Sequence, residues 1–204
     1  MRKLLAIAAV LAALGTAAPA LGQDQGSAEA GQSKSAVCAA CHGADGNSVN
    51  PEWPSLAGQH ASYLVTQLEA FKNGERQNPL MTPMAMPLSE QDMADLAAWF
   101  SSQTLVPKEA DPALVEQGQR LYRGGDAERN IAACIACHGP TGQGNPLAGY
   151  PVVAGQHAAY AEATLKAYRA GERRSDSSQM MRNVAANLTD ADIRALASYV
   201  QGLR

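Results

Sequence analysis

Residues 38–47 read CAACHGADGN and residues 134–145 read CIACHGPTGQGN, two Cys-x-x-Cys-His hooks that account for all four cysteines of a 204-residue chain. Their chemistry decides what kind of fold surrounds them. A disulfide across so short a loop gains little. A thioredoxin-like redox pair requires a βαβ setting. A structural zinc ion takes four ligands, so the two hooks, 96 residues apart, would have to share one ion and leave the histidine after each pair unexplained. Covalent haem attachment uses every residue of the hook: both thiols add to the porphyrin vinyl groups, and the following imidazole coordinates the iron from one face. Cys38, Cys41 and His42 then belong to one haem c, and Cys134, Cys137 and His138 to a second.

The hook is one part of a longer repeat. AGQHASYLVTQLEAFKNGER at 57–76 aligns with AGQHAAYAEATLKAYRAGER at 154–173, and LSEQDMADLAAWFSSQ from Leu88 aligns with LTDADIRALASYVQGL from Leu188. The offset grows from 97 to 100 residues between Arg76 and Leu88, which places a three-residue insertion in that stretch of the second half. Apolar residues recur at helical spacing: Leu64, Leu68 and Phe71 with Ala161, Leu165 and Tyr168, then Met93, Leu96, Ala97 and Phe100 with Ile193, Leu196, Ala197 and Val200. No alternating strand pattern competes, so the expected class is all-α. Ser89 with Asp92 and Thr189 with Asp192 read as helix starts, and Asp111 before Pro112 reads as an N-cap with proline at the first helical position.

Residues 1–22 have the form of a secretory signal peptide: a basic start at Arg2 and Lys3, an apolar run from Leu4 to Leu14, and small residues before Gln23. The apolar run is shorter than the ~20 residues of a membrane span. The expected units are therefore 1–22 signal peptide, 23–105 one haem domain and 106–204 a second, joined near TLVPKEADP at 104–112. With aromatics at 5% of the chain, each half has too little side-chain volume to fill a core by itself, and a porphyrin supplies what is missing. Beyond the leader, residues 23–105 carry 3 basic and 9 acidic side chains and residues 106–204 carry 11 and 10. That balance excludes a nucleic-acid binder, which is normally basic.

The residue on the far face of each iron separates electron transfer from reaction at the metal. Met81 and Met181 each stand seven residues before Leu88 and Leu188, and no other pair of methionines coincides in that register. Met84 remains open as the first ligand if the insertion lies after it. Met93, on an apolar helical face, reads as core filler. His60 and His157 are rivals by chemistry but fall where an amphipathic helix begins, and read as solvated helix-start residues. Pro54 and Pro151 follow their hooks closely; each is either an ordinary turn proline or the source of a carbonyl that accepts the imidazole N–H.

With these residues in place the chain resembles the dihaem c-type cytochromes of the cytochrome c4 family over nearly all of its mature length, in GQSKSAVCAACHGADGNS, LAGQ, LSEQDMADLAAWFSSQ, ADPALVEQGQRLYRGG, GQHAAY and ASYVQGL. The resemblance implies two tandem class I cytochrome c domains related by a pseudo-two-fold axis, with methionine sixth ligands at Met81 and Met181 and proline carbonyls against the proximal histidines. It implies a periplasmic, monomeric electron carrier rather than an enzyme, loosely associated with the membrane, passing single electrons from a quinol-oxidising cytochrome bc complex towards a terminal oxidase. The alternatives are a dihaem peroxidase or small-molecule oxidase with one displaceable ligand, and a tethered oxidase subunit.

Overall fold

The computed structural model describes residues 26–204; the leader at 1–22 lies outside them. Among the described residues there are ten α-helices, two short 3-10 turns and no strand, the only extended pairings being the isolated bridges Asp126–Ile131 and Asn145–Tyr150. The first half holds α1 (Ala28–Lys34), α2 (Ala36–His42), α3 (Ala61–Lys72), α4 (Met81–Ala85) and α5 (Glu90–Ser101). The second repeats the order as α6 (Pro112–Gly124), α7 (Ile135–His138), α8 (Ala158–Arg169), α9 (Met180–Ala185) and α10 (Asp190–Gly202).

The helix starts form as their sequences dictate. Ser89 and Thr189 each close a capping box with the aspartate three residues on, and the Asp111 carboxylate accepts the Ala113 N–H with Pro112 in the first turn. In each half the first helix lies across the last, α1 on α5 and α6 on α10. The crossing depends on a glycine at the point of closest approach. A Cβ on Gly31 would stand 1.9 Å from the Asp95 carbonyl oxygen, and one on Gly118 would stand 2.4 Å from that of Ala195. Polar contacts reinforce these crossings: Lys34 Nζ on α1 reaches Asp92 and Asp95 at 2.7 and 2.6 Å, Gln117 on α6 donates to the buried Asp192 at 3.2 Å, and Arg129, from the loop after α6, pairs with Asp192 at 2.7 Å.

Each half has its own core. Leu64, Leu96, Ala97 and Phe100 are buried in the first, with Cys38 and Leu88 against them. The second is larger, with Leu121, Tyr122, Tyr168, Ile193, Leu196 and Tyr199 buried and with Cys134, Ile135 and Met181 packed on them. Met93 is buried as core filler. Residues 104–111 run between the halves without helix. They are tied to the first half by Asn47, which bonds Thr104 and Val106, and to the second by Ser198 and Gln201, which bond Asp111 and Glu109.

Candidate functional site

Both hooks end a short helix, and both helices end at a glycine. Gly43 and Gly139 have φ of 82° and 75°, a left-handed region that β-carbon-bearing residues disfavour. The chain therefore turns immediately after His42 and His138, whose side chains are buried at 5% and 8% exposure. In the second half the Tyr122 hydroxyl donates to the Gly139 carbonyl at 2.7 Å, holding that turn from inside the core.

The two prolines lie where a second-sphere role needs them. His42 Nδ1–H donates to the Pro54 carbonyl at 2.8 Å and His138 Nδ1–H to the Pro151 carbonyl at 2.9 Å. With Nδ1 committed as donor, Nε2 is the lone-pair atom of each ring. Burial lowers both imidazole pKa values, opposed in part by the carbonyl partner, so both rings are neutral and able to coordinate at neutral pH. Burial likewise raises the Cys38 thiol, and pushes Cys134 up to about 11. All four cysteines are unpaired and partly buried.

The two methionines are placed unequally. Met81 opens α4 and Met181 is the second residue of α9; both are partly buried, and Met181 shares the second core with Cys134. From Ala85 and Ala185, both fully buried, the two halves run at the offset of 100. The additional residues of the second half therefore lie ahead of Ala185; Ser177–Gln179, just before α9, form a 3-10 turn. Met84 is 48% exposed and Met86 56%.

Between the halves lies a set of contacts that sequence reasoning missed. His60 and His157 do stand at helix starts, as the N-cap residues of α3 and α8, but neither ring is left to solvent alone. His157 is buried, and the Nε2–H of each ring donates across the interface at 2.8 Å, His60 to the Gln143 carbonyl and His157 to that of Ser48. Both Nε2 atoms are thereby engaged by carbonyls of the opposite half. Arg76 donates to the Tyr160 hydroxyl and Arg173 to that of Tyr63, each at 2.9 Å, so the pair is exchanged about the same pseudo-two-fold. Burial works to raise the Tyr160 phenol, and the charges of Arg76 and Arg173 outweigh it, bringing it down to about 7. The signal for this set was the GQHxxY and GER repetition, to which no chemistry had been attached.

These residues fit haem. Arg173 is buried at 6% exposure and makes no ion pair among the described residues, and its Nε and the nearby Ser175 hydroxyl have no hydrogen-bond partner. A buried guanidinium without an anion is costly, and carboxylates such as porphyrin propionates are the acceptors its planar fork donates to best. Together with two unpaired thiols and a neutral buried imidazole in each half, that donor set matches a covalently attached, carboxylate-bearing iron porphyrin.

Comparison with known proteins agrees. The cytochrome c family model matches residues 28–104 and again 115–204. Cytochrome c4 of Stutzerimonas stutzeri is 51% identical over 188 residues, covering 87% of this chain and 90% of that one. The thiosulfate dehydrogenase electron acceptor of Thiomonas intermedia (strain K12) is 41% identical over 205 residues, 98% of this chain and 90% of that one. The crystal structure of reduced recombinant cytochrome c4 from Pseudomonas stutzeri superposes with a TM-score of 0.86 at 50% identity, covering 88% of this chain and 100% of that chain. Two class I cytochrome c domains, each with a covalently bound haem c, and a role as electron carrier rather than enzyme follow from this agreement: the chain belongs to the cytochrome c4 family of dihaem electron-transfer cytochromes.

Proposed function

We propose that this protein is exported to the periplasm after loss of residues 1–22 and shuttles single electrons from a quinol-oxidising cytochrome bc complex towards a terminal oxidase. Its haem domains are 23–105 and 106–204. Cys38 and Cys41 would hold the first haem c, with His42 and Met81 as its iron ligands; Cys134 and Cys137 would hold the second, with His138 and Met181. The haem iron supplies the one-electron step between its ferrous and ferric forms. The chain supplies the rest: neutral imidazoles fixed by proline carbonyls, thioether ligands that favour the ferrous state and so a positive potential, and a dry interior.

The observation that carries this reading is the matched pair of buried imidazoles, each donating its Nδ1–H to a proline carbonyl of its own half at 2.8 and 2.9 Å. Two ordered imidazoles with closed surroundings suit outer-sphere transfer, and the relatives named above give the peroxidase alternative no support. Among the described residues no helix is long and apolar enough to cross a membrane. The similarity to a thiosulfate dehydrogenase electron acceptor over 98% of the chain favours a second donor class, a sulfur-oxidising dehydrogenase that delivers electrons one at a time. The test is denaturing mass spectrometry with a potentiometric titration of the purified protein. The reading expects the chain from about Gln23 plus two haems and two one-electron waves at positive potential. One haem, or a wave at strongly negative potential, overturns it. Reduction rates with isolated bc complex and with a thiosulfate dehydrogenase then decide the donor.

A further inference from the structure

Gln59 and Gln156 occupy equivalent places in the two halves, and each reaches into the half to which it does not belong. Gln59 Oε1 accepts the Val152 N–H at 2.9 Å while its Nε2–H donates to the Val152 carbonyl at 2.9 Å. Gln156 makes the same two bonds to Ser55, N–H and carbonyl, both at 2.9 Å. The residues they grip are those that directly follow Pro151 and Pro54. The Val152 N–H and the Pro151 carbonyl are thus two ends of one planar peptide group, and that carbonyl is the acceptor of His138 Nδ1–H at 2.9 Å. The Pro54–Ser55 peptide joins Gln156 to His42 in the same way.

An amide is a resonance unit. An acceptor at its N–H draws positive charge to that end and makes the carbonyl a stronger acceptor, so successive hydrogen bonds reinforce one another. A stronger acceptor at Nδ1–H raises the basicity of the ring as a metal ligand, which favours the ferric state. The geometry to transmit this is fixed. Gln59 is buried at 8% exposure, and each carboxamide oxygen also accepts the N–H of its own following histidine at 3.0 Å. A clamp between domains would need only contact; it would not need to seize, in both halves, the one peptide whose other end holds the imidazole.

We propose that Gln59 and Gln156 are crossed positioning residues: each sets, through a single peptide group, the hydrogen bond on the proximal imidazole of the opposite half, so each half tunes the potential of the other's haem. This rests on the assignment of His42 and His138 as iron ligands.

The test uses the full-length, haem-loaded protein with Gln59→Met and Gln156→Met, of similar length to Gln but lacking the amide. Ferrous protein labelled with 15N-histidine reports each Nδ1–H directly, and spectroelectrochemical titration reports both potentials. Gln59→Met is expected to weaken the His138 Nδ1–H bond, moving its proton resonance to lower frequency. It should raise the potential of the C-terminal haem by roughly threefold in the ferric-to-ferrous ratio, about 28 mV at 59 mV per tenfold for one electron, and leave His42 in place. Gln156→Met is expected to do the reverse, and carries the test independently if the first variant does not assemble. His60→Phe, which removes a cross-interface bond without touching either peptide, is expected to move neither centre. Shifts confined to the substituted half, equal shifts of both centres, or no shift overturn the proposal. In the unsubstituted protein, ring resonances of His42 and His138 without the displacement caused by a haem ring current would instead overturn the ligand assignment, a failure distinct from that of the relay.

Discussion

Met181 shares the second core with Cys134, whereas Met81 stands on a short helix whose neighbour Met84 is 48% exposed. If both are axial ligands, Met181→Ala is expected to open the second iron, lower its potential and admit carbon monoxide at that centre alone, as read by titration and by the carbon monoxide difference spectrum. Met81→Ala should do the same for the first centre and Met84→Ala should not; the opposite outcome would move the three-residue insertion to a point beyond Met84. The cysteines give a simpler count. Replacing Cys134 and Cys137 by Ala together should leave one covalent haem by mass and a second half that melts first, since that half would lose the apolar group its small core needs.

At the scale of the helices, the crossings of α1 with α5 and α6 with α10 are the sensitive contacts. Gly118→Ala places a methyl group 2.4 Å from the Ala195 carbonyl, and forcing extra volume into such a contact costs about 1–3 kcal/mol. Gly124→Ala, at the end of the same helix with nothing within 4 Å, is expected to stabilise by ~0.5 kcal/mol through the unfolded chain. Denaturant melts followed at the second haem distinguish the two signs. The α1–α5 crossing is also acid-sensitive. Lys34, with the Ser27 N–H and Gln91, holds the buried Asp95 carboxyl down at about 2, below the ~3.9 of an unfolded chain. The stability this supplies is fully present above about pH 4 and lost as pH falls towards 2. Lys34→Met should therefore move the acid unfolding of the first half to higher pH, by circular dichroism, and leave that of the second unchanged, because Arg129 guards Asp192 there.

For the molecule as a whole, charge is divided unevenly: the first half carries a net −6 and the second +1. A lopsided field steers encounter complexes at low ionic strength and is screened within about 10 Å at 0.1 M salt. Small cationic reductants are expected to reduce the N-terminal haem faster than anionic ones of equal potential, with the preference fading as salt is added; equal, salt-insensitive stopped-flow rates at both haems would remove steering from the account. An electron entering at one end would then meet two centres whose potentials are set from opposite sides of the same interface.

What the sequence determined by itself is what depends on residue type and spacing. Two Cys-x-x-Cys-His hooks, helical periodicity, capping pairs at Ser89 and Thr189 and an offset of 97 to 100 residues specify an all-α, twofold-repeated chain with a haem in each half, because thiol addition, imidazole coordination and helix initiation are local events. Pro54 and Pro151 were legible only as candidates, since a proline's value as the source of an accepting carbonyl depends on where the chain returns. His60 and His157 were read correctly as helix-start residues but not as interface residues, for the same reason: a polar residue at a helix start is solvated unless another surface closes over it, and here the other half of the molecule buries His157 and bonds His60. Gln59, Gln156, Arg76 and Arg173 acquire their roles only through residues 84 to 110 positions away. Only the tertiary structure decided them, because hydrogen bonds across an interface are fixed by how two preformed surfaces dock, and docking leaves no period in the chain.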